Sequence, residues 1–147
     1  IRRVLKPGGV AGIADGDFGT GLWEPSSPVL EQVRTLFLQA VRYHGGDPYL
    51  ARHYRRLLLE AGFARSEAYG RISSETHGDP AGTRRFAATI VQQIEDSTLR
   101  RTAIENRWAT EADLDVMVAE VHAWGERPDA FIAILDCAAV GWVDEAG

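Results

Sequence analysis

The sequence predicts an α/β protein, a small sheet with helices on its faces, and three observations carry that expectation. Strand-like stretches recur at residues 10–14, 64–72 and 130–143, each set off by glycine or proline. Between them lie stretches whose apolar residues repeat at helical spacing. Ser27-Pro28, Asp47-Pro48 and Asp79-Pro80 each put a capping residue before a proline, the start signal of a helix. Alternation of this kind argues for a sheet covered by helices.

The opening IRRVLKPGG reads as the end of a helix, because Ile1, Val4 and Leu5 fall at helical spacing and Lys6-Pro7-Gly8-Gly9 stops it. A chain that starts inside an element reads as the continuation of something upstream. Val10 to Ala14 then reads as a buried strand, and GDFGTGLWEPSSP, rich in glycine and proline, as a loop. From Ser27-Pro28 a helix is predicted with Val29, Val33, Leu36, Phe37, Ala40 and Val41 on one face, ending near His44-Gly45-Gly46. Asp47-Pro48 starts a second helix with Leu50, Tyr54, Leu57, Leu58 and Ala61 as its stripe and Gly62 as a left-handed end.

From Ala64 to Ile72 small or apolar residues alternate with Arg65, Glu67, Tyr69 and Arg71, the period of a strand near a sheet edge. Asp79-Pro80 opens a helix carrying Phe86, Ile90, Val91 and Ile94, and Thr110-x-x-Asp113 starts another with Leu114, Met117, Val118, Val121 and Trp124. PDAFIAILDCAAVGWV is read as one strand buried on both faces, with a buried helix as the alternative that periodicity leaves open. Asp136 within it reads as a strand bend or an acceptor of buried hydrogen bonds. Three strands make a meagre sheet, and the first leaves an apolar edge open.

The 147 residues suit a single domain, and 45% hydrophobic with 25% charged residues is ordinary for a globular chain. A formal net charge of -5 with dispersed arginines gives no electrostatic reason to bind nucleic acid or an anionic membrane. The longest apolar run, 130–143, contains Asp136 and is shorter than the roughly 20 residues of a membrane span. One cysteine, Cys137, forbids an intrachain disulfide and fits a reducing cytoplasm. His44, His77 and His122 sit on separate segments without a ligand-type spacing, so no metal site is expected.

Arg3-Val4-Leu5-Lys6-Pro7-Gly8-Gly9 followed by a strand resembles the segment before the fifth strand of class I S-adenosylmethionine-dependent methyltransferases. Tyr54 to Phe63, ending Leu57-Leu58-Leu59-Glu60-Ala61-Gly62-Phe63, looks like the helix end before their sixth strand. The tail is similar to the end of the same family: Thr110 to Leu114, Trp124, Pro128-Asp129-Ala130-Phe131 and Val140-Gly141-Trp142. The resemblance implies a partial Rossmann-like methyltransferase sheet, the last three strands of seven in a mixed parallel and antiparallel arrangement, with the final strand antiparallel between the other two. It also implies S-adenosylmethionine as cofactor and a small-molecule substrate. The family's cofactor motif, a glycine-rich turn after the first strand and an acidic residue after the second, has no counterpart in this sequence. Gly16, Gly19 and Gly21 do not replace it, because the third glycine and the following helix are missing and Pro25 interrupts; a flexible loop is the expectation there.

Open α/β sheets bind ligands at the carboxyl ends of their strands, which makes Asp15, Asp17, Phe18 and Trp23 candidates for a substrate wall. Asp15 and Asp17 read equally as a turn-forming pair, and Trp23 as a lid over an apolar substrate or as a ring that packs the loop down. His53, one turn beyond Tyr49, could act as base or substrate partner, against a plain solvent-facing histidine on an arginine-rich helix. Two functions follow as expectations. One is the C-terminal, substrate-facing portion of a small-molecule methyltransferase, inactive when isolated from an N-terminal half. The other is a non-catalytic binding module derived from such an enzyme that closes its open sheet as a homodimer.

Overall fold

In the computed structural model, which describes residues 1–145, the opening segment is only a 3-10 turn over Arg2–Val4, not the end of an α-helix. The strand that follows, β1 (Val10–Gly16), lies at a sheet edge, and of its residues only Ala11 is buried. A second correction concerns Asp47-Pro48, which opens a turn. A 3-10 segment, Leu50–His53, comes next, and the helix proper, α2, covers Tyr54–Glu60. Its end is as the sequence predicts: Gly62 takes φ +85° and its N–H donates to Leu59, while the Phe63 N–H donates to Leu58. This double closure brings Phe63 onto Leu58, the apolar contact that goes with it.

Strand β3 (Arg65–Ile72) forms the other edge, and β5 (Leu135–Trp142) lies between β1 and β3. Both ladders are antiparallel, with Ala11 opposite Gly141 opposite Ser66, and Ile13 opposite Ala139 opposite Ala68. Ala11, Ala139, Leu58 and Phe63 form the core on the face that α2 covers, with Leu5, Ile13, Tyr54 and Val143 packed around it. A side chain at Gly141 would collide with the Phe63 ring, so glycine there lets the ring lie on the strand. These segments, 1–20, 48–73 and 134–145, make one compact unit, the sheet unit.

Ser66 is the exception in this core, since its hydroxyl is buried with no hydrogen-bond partner among the described residues. An unsatisfied buried hydroxyl costs its desolvation, so Ser66→Ala is expected to raise stability to urea by about 1 kcal/mol. An unchanged or lowered midpoint would show that the hydroxyl is satisfied in solution.

The second unit, Gly21–Asp47 with Ser74–Ala133, is mostly helical. Its helices are α1 (Pro28–Tyr43), α3 (Pro80–Glu95), α4 (Ser97–Glu105) and α5 (Glu111–Gly125). Each begins on a side-chain cap: Ser27 accepts from Leu30, Asp79 from Ala81 and Gly82, and Asp96 from Thr98 and Leu99. Thr110 and Asp113 close a full capping box. Leu30, Val33, Leu36, Ile94, Leu114 and Val121 fill the interior.

The predicted loop after β1 contains a short strand, β2 (Leu22–Glu24), which pairs antiparallel with β4 (Phe131–Ala133). The single strand predicted over 130–143 is therefore two strands belonging to different sheets, divided at Ile134. Most of β5 is half-buried.

The fold expectation is thus corrected. The described residues form two small sheets, β1-β5-β3 and β2-β4, in which every ladder is antiparallel, and not a mixed Rossmann-like sheet. A parallel ladder would need β1 beside β3. The place between them is taken by β5, whose small residues Ala139 and Gly141 fit under Leu58 and Phe63. No described helix is long and apolar enough to cross a membrane.

Candidate functional site

The carboxyl end of β1 runs Asp15-Gly16-Asp17, so the two carboxylates leave the strand on the same side, the side that faces α2. Asp17 is 2% exposed, yet fully provided for. Arg52, from the 3-10 segment before α2, grips it with two bonds, Nε to Oδ2 at 2.6 Å and Nη2 to Oδ1 at 2.7 Å. The Gly19 N–H donates to the same carboxylate at 2.9 Å. The backbone of Asp17 is fixed as well: its N–H donates to the Leu135 carbonyl, and the Thr20 hydroxyl donates to the Asp17 carbonyl while accepting from the Leu135 N–H. Residues 17–20 therefore form a pinned turn rather than a flexible loop.

Burial alone would raise the Asp17 pKa. Hydrogen bonds from Arg52 and Gly19, with the positive charges of Arg52 and His53, outweigh it and hold the carboxyl below the ordinary Asp range. The hydrogen bond to Asp17 in turn raises the Arg52 pKa. Arg52 is 44% exposed, and its guanidinium lies over the Tyr49 ring at 4.7 Å. A side chain at Gly19 would run into that ring and into Arg52 Nη2, so glycine is what lets the stack close over the turn.

Asp15 is provided for differently. It is exposed, accepts from the Gly16 N–H at 2.8 Å, and has the Tyr54 hydroxyl at 3.5 Å, longer than a full hydrogen bond between oxygens. The phenol of Tyr54 is pushed up by burial and then by the charge of Asp15. Across the ladder from Asp15 sits Cys137, whose thiol is pushed up first by burial and then by the charge of Asp17. Both groups are neutral at neutral pH.

The sequence-predicted residues separate accordingly. Asp15, Asp17, Tyr49 and His53 belong to one neighbourhood in the sheet unit, with His53 half-buried and near enough for its charge to act on Asp17. Phe18, in the same turn, is half-exposed at 50%. Trp23 lies in the helical unit, 7% exposed, with its ring edge-on to Trp124 at 4.8 Å and to Phe86 at 5.4 Å. That is the packing alternative for Trp23 and not a lid.

Arg52, Tyr54 and Cys137 were missed as site residues. Arg52 sits one position before His53, but nothing in a run with Arg55 and Arg56 marks it as the partner of Asp17.

The linkage of Asp17 to folding has a definite sign. A carboxyl held low in the folded state contributes stability that is present above its unfolded value, about 3.9, and is lost as pH falls through the folded one. The wild type is therefore expected to lose stability below about pH 4, together with Asp79, Asp113 and Asp129, which hydrogen bonds also hold low. Urea midpoints of Asp17→Asn across this range should show a shallower slope; an identical slope would contradict the account of the pair.

Among the described residues no His, Cys, Asp and Glu side chains converge in a metal-binding arrangement. The arrangement offers a fixed neutral Arg–Asp pair, an accessible carboxylate, a phenol and a thiol. Comparison of the chain with models of known protein families and with curated proteins finds no match in either, so its assignment rests on this geometry.

Proposed function

We propose that the chain is the substrate-facing portion of a small-molecule methyltransferase that uses S-adenosylmethionine and works in the cytoplasm. The observation that carries this reading is the gathering of Asp15, Asp17, Arg52, Tyr54 and His53 around the carboxyl end of β1, a cluster of ionisable side chains at one end of the sheet. Methyl transfer from a sulfonium asks chiefly that nucleophile and methyl group be held in line, and a turn pinned by Arg52 and Thr20 is a rigid support for that. The cofactor is assigned to residues outside this chain, since its binding motif has no counterpart here.

The test is release of S-adenosylhomocysteine by the product of the whole gene, incubated with S-adenosylmethionine and a small-molecule extract. Release that depends on the extract, with a new species heavier by one methylene, is the expected result. A protein that consumes no S-adenosylmethionine would refute it.

One observation favours a second reading, a non-catalytic module that dimerises. Among the described residues no strand pairs with the outer edge of β1, which is uncharged from Val10 to Ala14 with Val10 51% exposed, while the β3 edge carries Arg65, Glu67 and Arg71. Light scattering on the purified chain separates the two: this reading requires a dimer, and a folded monomer removes it.

A further inference from the structure

We propose that the shelf formed by Asp15, Cys137 and Gly70 takes the ammonium group of a small amine, with Asp15 as its counter-ion. The inference rests on the reading of this end of the sheet as substrate-facing, and it names the class of substrate.

Three rows of side chains cross the sheet on the face that carries α2. The first is Ala11, Gly141 and Ser66, and the second is Ile13, Ala139 and Ala68. Leu58 and Phe63 lie over the middle of these rows, where Ala11, Gly141, Ser66 and Ala139 are all buried. The third row is Asp15, Cys137 and Gly70. It is open, with Asp15 and Gly70 exposed and Cys137 half-exposed. A Cβ on Gly70 would meet nothing closer than the Leu135 side chain at 3.5 Å, so a small floor of thiol and glycine is bounded on one side by Leu135 and on the other by Asp15 and Tyr54.

The charges around this floor select the ligand. Arg52 has two of its donor nitrogens committed to Asp17, and that pair is neutral as a whole. Arg71 is beside Asp136 at 3.5 Å, a second neutral pair. Tyr54 and Cys137 carry no charge at neutral pH. What remains is the Asp15 carboxylate, with one short in-chain bond and a phenol standing off at 3.5 Å. An anion on the shelf would be repelled by that carboxylate, and the Arg52 guanidinium beside it is already bonded to Asp17. An ammonium group would complete the coordination of Asp15, and its short carbon body would cover the thiol and glycine floor.

The test is a ¹H–¹⁵N NMR titration of the chain with phenethylammonium chloride, run beside sodium phenylacetate at the same ionic strength. Saturable shifts at the amides of Gly16, Gly70 and Cys137 are expected with the amine and not with the acid. Asp15→Asn should weaken them at least tenfold. Gly70→Val, a change that suits a strand, should do the same by filling the shelf, while both variants keep the wild-type spectrum elsewhere. The proposal falls if the amine gives no saturable shifts, if phenylacetate binds as tightly, or if Asp15→Asn binds like the wild type. Methyl transfer to a non-amine acceptor would likewise end the amine assignment and leave the methyltransferase reading standing. Ammonium binding at Asp15 in a protein that transfers no methyl group would uphold the shelf and end that reading.

Discussion

Trp23→Ala is expected to destabilise the helical unit by about 4 kcal/mol, the scale of removing a buried tryptophan from a core. The ring is 7% exposed and makes edge-on contacts with Trp124 and Phe86, so its removal empties the centre of an aromatic cluster. The adjoining Trp124 indole also donates to the Glu24 carbonyl at 3.2 Å, next to the vacated position in β2. The measurement is chemical denaturation followed by far-UV circular dichroism. A lid would behave differently, because its loss would leave the midpoint in place and alter only ligand binding.

Asp17→Ala is the second large effect, about 2 kcal/mol against the sheet unit. Removing the carboxylate leaves the Gly19 N–H without its acceptor and Arg52 without its partner. The figure is kept at the lower end because Arg52 is 44% exposed and water can take over its donors. Asp17→Asn should lose less, since the amide oxygen still accepts from Gly19. Equal losses for Asn and Ala would show that charge, not hydrogen bonding, holds the turn.

Features fixed by neighbours in the chain were legible in the sequence. Ser27-Pro28, Asp79-Pro80 and the Thr110–Asp113 box each act within one helical turn, and all three caps form where the pattern puts them. Gly62 was legible for the same reason, because a left-handed end needs only the residue and the helix before it. α4 escaped notice since Leu99, Ala103 and Ile104 make too narrow an apolar face to register, although Asp96 was available as its cap.

What depends on distant partners was not legible. The apolar run 130–143 carries no mark at Ile134, yet the chain changes sheets there, because β4 is claimed by β2 and β5 by β1 and β3. The expected mixed sheet failed for the same reason: residues 22–24 and 131–133 pair with each other into a sheet of their own, and the other three strands are joined by antiparallel ladders alone. In the candidate site, Asp15 and Asp17 could be named from their place after a strand. Their partners could not. Arg52 and Tyr54 reach them across 35 and 39 residues, and only the approach of α2 to the sheet end makes the pairs.

The central claim, that the carboxyl end of β1 holds the acceptor for methyl transfer, is tested most directly by steady-state kinetics of the whole gene product. Wild type would be compared with Asp15→Asn and Tyr54→Phe once an acceptor has been identified. The account predicts at least a tenfold loss of kcat/KM for the acceptor in Asp15→Asn, a smaller loss in Tyr54→Phe, and an unchanged KM for S-adenosylmethionine in both. Variants that match the wild type toward the acceptor, or that lose only affinity for S-adenosylmethionine, would contradict it.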